Sequence, residues 1–178
     1  MKTSAFLHYL TAQPTYNGQI THIEHIPPRD ANYAELDKPL ASPLQDCLNE
    51  QGLLPLYTHQ AEAVNSARDG RNVMVATSSA SGKTLCYNIP VLQTLLTEWG
   101  SRALYLFPTK ALAQDQLRAL RQFFCPALFR PAEFATFDGD TPATERSEIK
   151  QQARIILTNP DMLHFGILPN HQSWSRLL

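Results

Sequence analysis

Residues 77–84 read Thr77-Ser78-Ser79-Ala80-Ser81-Gly82-Lys83-Thr84, between a short apolar run at 72–77 and a helix-forming stretch at 83–99. A loop of small residues lets successive backbone N–H groups converge on one anion. The helix that follows adds its own unpaired amides and its dipole. Lys83 stands where an ammonium reaches the terminal phosphates of a nucleotide, and Thr84 where a hydroxyl can ligate Mg²⁺. The strict pattern has a glycine five residues before Gly82; Thr77 stands there instead, so Gly82-Lys83-Thr84 carries the reading. The plainer alternative is a serine-rich loop that only caps a helix.

Working outward, the same alternation repeats. Apolar runs at 103–107, 133–137 and 154–158 are separated by helical patterns at 109–124 and from Thr141 onward, where Pro142 suits a first helical position and Thr141 its cap. In the first of these helices Leu112, Gln116, Leu117, Leu120 and Phe124 fall at helical spacing. Thr58 opens an earlier helix that Asp69-Gly70 closes. Strands that read as continuous apolar runs, each followed by a helix, predict an α/β fold with a parallel sheet and helices on both faces. Chemistry in such a sheet belongs beyond the C-terminal ends of the strands. Every polar cluster that stands out here falls there.

Residues 1–55 are richer in proline and glycine and read as an accessory segment, with a short strand at 19–26 and a helix near 43–51. Residues 56–178 read as the nucleotide-binding domain. With 15 Lys plus Arg against 16 Asp plus Glu, the net charge is −1, which neither announces nor excludes a nucleic-acid partner. No apolar run reaches the roughly 18 residues of a membrane-spanning helix, and the first ten residues do not make a secretory signal. No membrane partner and a cytoplasmic location are the expectation. Cys47, Cys86 and Cys125 match neither a disulfide framework nor zinc spacing and read as reduced, part-buried thiols. His22, His25, His164 and His171 have no carboxylate or thiol at ligand spacing and read as structural or surface groups.

With the phosphate loop in place, four further segments carry a resemblance. They are Leu56-Tyr57-Thr58-His59-Gln60; Pro108-Thr109-Lys110-Ala111-Leu112-Ala113-Gln114-Asp115-Gln116; Phe137-Asp138-Gly139-Asp140-Thr141; and Thr158-Asn159-Pro160-Asp161-Met162-Leu163. In this order and spacing the chain resembles the first RecA-like domain, a P-loop NTPase fold, of superfamily 2 DEAD/DEAH-box helicases. Within these it looks most like the mitomycin-repair-factor-like branch of DNA helicases, where relaxed loops with threonine at the position of Thr77 are usual.

The resemblance implies ATP and Mg²⁺ as ligands. It implies an ATP site of Tyr57, Gln60, Ser79, Ala80, Ser81, Gly82, Lys83 and Thr84, with Gln60 reading adenine, Lys83 and Thr84 in catalytic roles and Thr84 on the metal. It also implies contacts from Thr109, Lys110, Gly139 and Thr158 to the phosphates of a single strand, expected to be DNA, with Asp161 capping the helix after Thr158. The two carboxylates of Asp138-Gly139-Asp140 read as a turn and cap, not a metal site.

The Asp-Glu-x-His motif of that family is expected beyond Leu178, as are the second RecA-like domain and its arginine finger. A sheet lacking a core strand is expected to be incomplete and marginally stable, and the chain alone is expected not to turn over ATP. The competing readings are a small-molecule kinase, which lacks a recognisable arginine-rich lid here, and a catalytically dead nucleotide-binding or interaction fragment.

Overall fold

The computed structural model describes residues 2–27 and 30–178, with the side chains of 123 and 125–127 outside the description. The thiol reading of Cys125 therefore lies outside the described residues. Two units divide the chain, Met1–Ala31 and Asn32–Leu178. In the first, α1 (Thr3–Thr11) is a helix with no buried residue, and residues 19–26 form no strand. The expected strand there fails because its partial apolar alternation meets no partner backbone: Ile23 and Ile26 are exposed.

The second unit begins well before the break expected at residue 55. The reason is α2 (Ser42–Glu50), which buries Leu44, Cys47 and Leu48. That i, i+3, i+4 stripe makes one apolar face, and it joins the main core. After it come α3 (Thr58–Arg68), α4 (Lys83–Thr97), β1 (Ala103–Leu106), α5 (Lys110–Leu128), β2 (Phe134–Thr136), α6 (Ala143–Gln152) and β3 (Ile155–Thr158). Helical turns over 160–174 end the fold.

The sheet is parallel, in the order β1-β3-β2, with Ala103 opposite Ile155 and Phe134 opposite the same residue on the other side. Side chains alternate between its faces, as a pleated strand requires. Tyr105, Phe134, Ile155 and Leu157 enter the core built with α2, α3, α4 and α5. Ala135 and Ile156 enter a second core with Ile167 and Trp174, against which Ile149 of α6 packs. Helices cover both faces, as expected. On α5 the buried stripe is Ala113, Leu117, Leu120 and Phe124, while Leu112 is exposed.

Residues 72–77, expected as a strand, pair with nothing among the described residues. Val73 and Val75 instead line an apolar groove of about 640 Å³ together with Pro90, Val91 and Leu95 of α4 and Ala103 of β1. That groove separates the run from the sheet edge, and a strand needs a neighbouring backbone about 4.8 Å away to bond its N–H and C=O groups. Met74 is accordingly 93% exposed. The sheet is incomplete in this sense: its apolar run is present, but nothing holds it in register.

A pair of substitutions tests both corrections. Leu48→Ala is expected to cost about 2–5 kcal/mol, as for a buried leucine in a fully packed core. Met74→Ala is expected to change stability by no more than about 0.5 kcal/mol, as for an exposed site. Urea unfolding followed by circular dichroism reads both; a small loss at Leu48 returns α2 to an accessory segment.

Candidate nucleotide and nucleic-acid site

The phosphate loop is shaped by two residues in the left-handed region, Ala80 at φ 59° and Gly82 at φ 76°. Glycine adopts this without penalty; alanine does so at a cost of about 1 kcal/mol, so the loop holds Ala80 there against its preference. Thr77 has no positive φ, which is why the glycine of the strict pattern is dispensable at that position. The Lys83 ammonium folds back into the loop. It donates to the carbonyl oxygens of Thr77 at 3.0 Å and Ser78 at 2.6 Å, with the hydroxyls of Thr77 and Ser81 each at 3.4 Å. Those two hydroxyls are themselves 2.6 Å apart.

Gln60 is 3% exposed, and both ends of its amide are engaged by backbone. Its Oε1 accepts from the Tyr57 N–H at 2.9 Å, and its Nε2 donates to the Gly82 carbonyl at 3.0 Å. A side-chain amide has two donors and two acceptor lone pairs, so half of that capacity ties the start of α3 to the phosphate loop. The contact is close: a Cβ on Gly82 would lie 2.5 Å from Gln60 Nε2. His59 adds a second tie, its Nε2 donating to the Ser81 carbonyl at 2.9 Å. Tyr57 is exposed and sits in a ladder of rings between Tyr33, at 5.3 Å, and His59, at 5.9 Å. Tyr33 and His59 escape a reading that stops at the motif glutamine. Their signal is the aromatic series itself.

Thr84 lies in the first turn of α4, close before Tyr87, whose phenol pKa burial pushes up. Tyr87 in turn donates to Gln116 Oε1 of α5 at 3.1 Å. The helix that opens with Lys83 is thereby joined to the helix that opens with Lys110.

Because the strands are parallel, the C-terminal ends of β1, β2 and β3 share one edge of the sheet. Thr109 stands just before α5, where its Oγ1 accepts from the Leu112 N–H at 3.2 Å and satisfies an open helix amide. The Lys110 ammonium pairs with Asp140 Oδ2 at 2.8 Å, and the hydrogen bond to that carboxylate raises its pKa. A Cβ on Gly139 would meet Lys110 Nζ at 3.4 Å, so this loop and α5 are in contact. Asp138 is buried and its Oδ1 accepts from the Asp140 N–H at 2.8 Å, which makes it a turn former. Arg146 braces the turn from α6, donating to the carbonyls of Thr141 and Asp138 at 3.0 and 3.2 Å with its guanidinium over Phe137.

Three expectations change here. Thr158 is 1% exposed and its hydroxyl donates to the Phe137 carbonyl, so it joins β3 to the loop after β2 and does not face solvent. Asn159, not Asp161, caps the turn after β3, its Oδ1 accepting from the Met162 N–H at 2.8 Å. The α6 cap position is held by Pro142, one residue later than expected, because the Thr141 hydroxyl accepts from the Asp138 N–H instead.

Thr158→Val therefore serves as a sorting variant. Losing a buried hydroxyl that partners a carbonyl is expected to cost about 1–3 kcal/mol of stability. Oligonucleotide affinity, read by fluorescence anisotropy in the folded protein, is expected to stay unchanged; a clear loss of affinity assigns Thr158 to the strand after all.

Known proteins resemble this chain in sequence and fold. The DEAD/DEAH box helicase profile matches residues 57–177. The ATP-dependent helicase HRQ1 of Saccharomyces cerevisiae is 44% identical over 165 residues, covering 92% of this chain and 15% of that protein. The helicase YprA of Bacillus subtilis is 40% identical over 161 residues, covering 90% and 21%. Among solved structures, the MrfA helicase bound to DNA and AMPPNP superposes with a TM-score of 0.80 at 41% identity, over 85% of this chain and 21% of that one. MrfA bound to DNA gives 0.85 at 37% identity, over 99% and 24%. The chain thus spans about a fifth of the length of these relatives. On its profile match, its identities and its RecA-like sheet, the chain belongs to the DEAD/DEAH box helicase family.

Proposed function

We propose that this chain is the ATP-binding part of an ATP-dependent DNA helicase. The observation that carries it is the Lys83 ammonium held within the loop by oxygen atoms of Thr77, Ser78 and Ser81, at a helix start and beside two left-handed residues. An incoming triphosphate competes for the same ammonium and meets the amides of Ser79, Ala80, Ser81 and Gly82. The spare donor and lone pair of Gln60 suit the edge of adenine, and Tyr57, at the start of the same helix, is exposed.

Thr84, in the first turn of α4, is the residue that would hold Mg²⁺. A hydroxyl supplemented by phosphate oxygens and water is a suitable donor set for that ion. When bound, it neutralises charge on the terminal phosphates.

Thr109, Lys110 and Gly139 are proposed to meet the phosphates of one strand. The Lys110–Asp140 pair is exposed at the sheet edge, so a phosphate can displace the carboxylate. Contacts of this kind carry no base sequence, which suits a motor that must move along any strand. DNA is proposed on the strength of the relatives solved with it. The loop groups named here bind phosphate, and none of them is a base able to take a proton from an attacking water. Binding without turnover is proposed for this chain alone.

Titration calorimetry with MgATP tests the reading. Saturable binding is expected, preferring ATP to GTP, with Lys83→Ala weakening it by about tenfold or more, equivalent to about 1.4 kcal/mol. Absence of binding in a sample that is folded by circular dichroism overturns the nucleotide reading and favours the interaction fragment.

A further inference from the structure

The opposite edge of the sheet, where the strands begin, carries a different chemistry. Arg102 immediately precedes β1, Arg154 immediately precedes β3, and Arg130 lies on the approach to β2. With Arg176, Glu133 and Trp99 they line a depression of about 740 Å³. Four guanidinium groups face one carboxylate. Glu133 is already shared between Arg130, at 3.7 Å, and Arg154, at 3.8 Å. Among the described residues, Arg102 and Arg176 have no carboxylate partner. In a chain whose net charge is −1, this excess is a matter of placement, not composition.

Part of the cluster has a structural purpose. Arg102 donates to the carbonyls of Lys150 and Gln151 at the end of α6, at 2.9 and 2.8 Å. Arg154 donates to the Leu95 carbonyl in the last turn of α4 at 2.7 Å. Cations at helix C-termini are favourable, and these bonds fix both side chains. Burial, followed by the charges of Arg176 and Arg154, pushes the Arg102 pKa down, as crowding of like charges predicts. Arg130 and Arg176 are both exposed; Arg176 reaches the same Gln151 carbonyl only at 3.5 Å, and helix capping does not account for Arg130. Nor does it account for Trp99, whose side chain is 100% exposed on the same depression.

We propose that this depression is a second nucleic-acid contact, which takes a backbone phosphate of a single strand between the arginines and stacks the adjacent base on Trp99. Planar guanidinium groups fit phosphate oxygens in pairs, and a bare indole beside a positive groove is the arrangement that holds unpaired bases without reading them. An acidic peptide would use the arginines and leave the indole face unused. The site is separated from Lys110 by the length of the strands, so it stands or falls independently of the reading proposed above.

Trp99 itself reports on the site, because the other tryptophan, Trp174, is buried. Emission of the 178-residue chain is followed while a short oligothymidylate is added, in the wild type, Arg176→Glu, Trp99→Phe and Lys110→Ala. Saturable quenching is expected, unchanged by Lys110→Ala, absent in Trp99→Phe and weakened about tenfold with a shallower salt dependence in Arg176→Glu. Both Arg176 and Trp99 are exposed, so these variants keep the fold, and circular dichroism verifies it. No quenching, equal quenching in Arg176→Glu, or quenching by an oligoglutamate but not by the oligonucleotide overturns the proposal.

Discussion

Strand β3 has a neighbour on each edge and a core on each face, and that double burial governs the rest of the molecule. A strand so enclosed has no place for a polar side chain along its length, which is why Ile155, Ile156 and Leu157 are all fully buried. Its two partners must run parallel to it, so each connection has to return over the sheet through a helix. One edge of the sheet thereby gathers all the strand exits and the other all the strand entries. The polar residues that apolar strands exclude can only collect at those two edges. Thr158, the last residue of β3, marks the transition: it is still buried, and its hydroxyl is spent on the chain next to it.

The phosphate loop is maintained by the same economy of polar groups. Its carbonyls, which would otherwise face solvent or one another, are occupied by Lys83, His59 and Gln60. These three side chains come from the two helices on either side of the 72–77 run. Their convergence lets the loop keep an alanine in a left-handed conformation although the run before it makes no sheet. The shape of the anion site depends on side-chain ties more than on strand pairing.

Much of this is legible in the sequence, and the exceptions share a cause. β3 is evident because burial on two faces demands an uninterrupted apolar run. The 72–77 run has the same composition and forms no strand, since composition reports the need for neighbours and not their presence. Prolines and glycines before residue 55 suggest an accessory segment, yet the spacing of Leu44, Cys47 and Leu48 already encoded a core helix. At the site, the helix starts at Lys83 and near Lys110 follow from motif order. The inward turn of Thr158 and the double engagement of Gln60 do not, because a motif names a side chain without naming which of its hydrogen bonds are already taken.

The hydrogen bond from the Tyr87 phenol on α4 to Gln116 on α5 has a thermodynamic consequence. A shift of α4 changes what the phenol can offer to α5, and a shift of α5 changes what it can accept in return. Coupling of that kind is reciprocal: whatever free energy a ligand at one helix start transmits to the other, the second ligand must transmit back in equal measure. A single phenol thus places the two helix starts, at Lys83 and at Lys110, in one equilibrium.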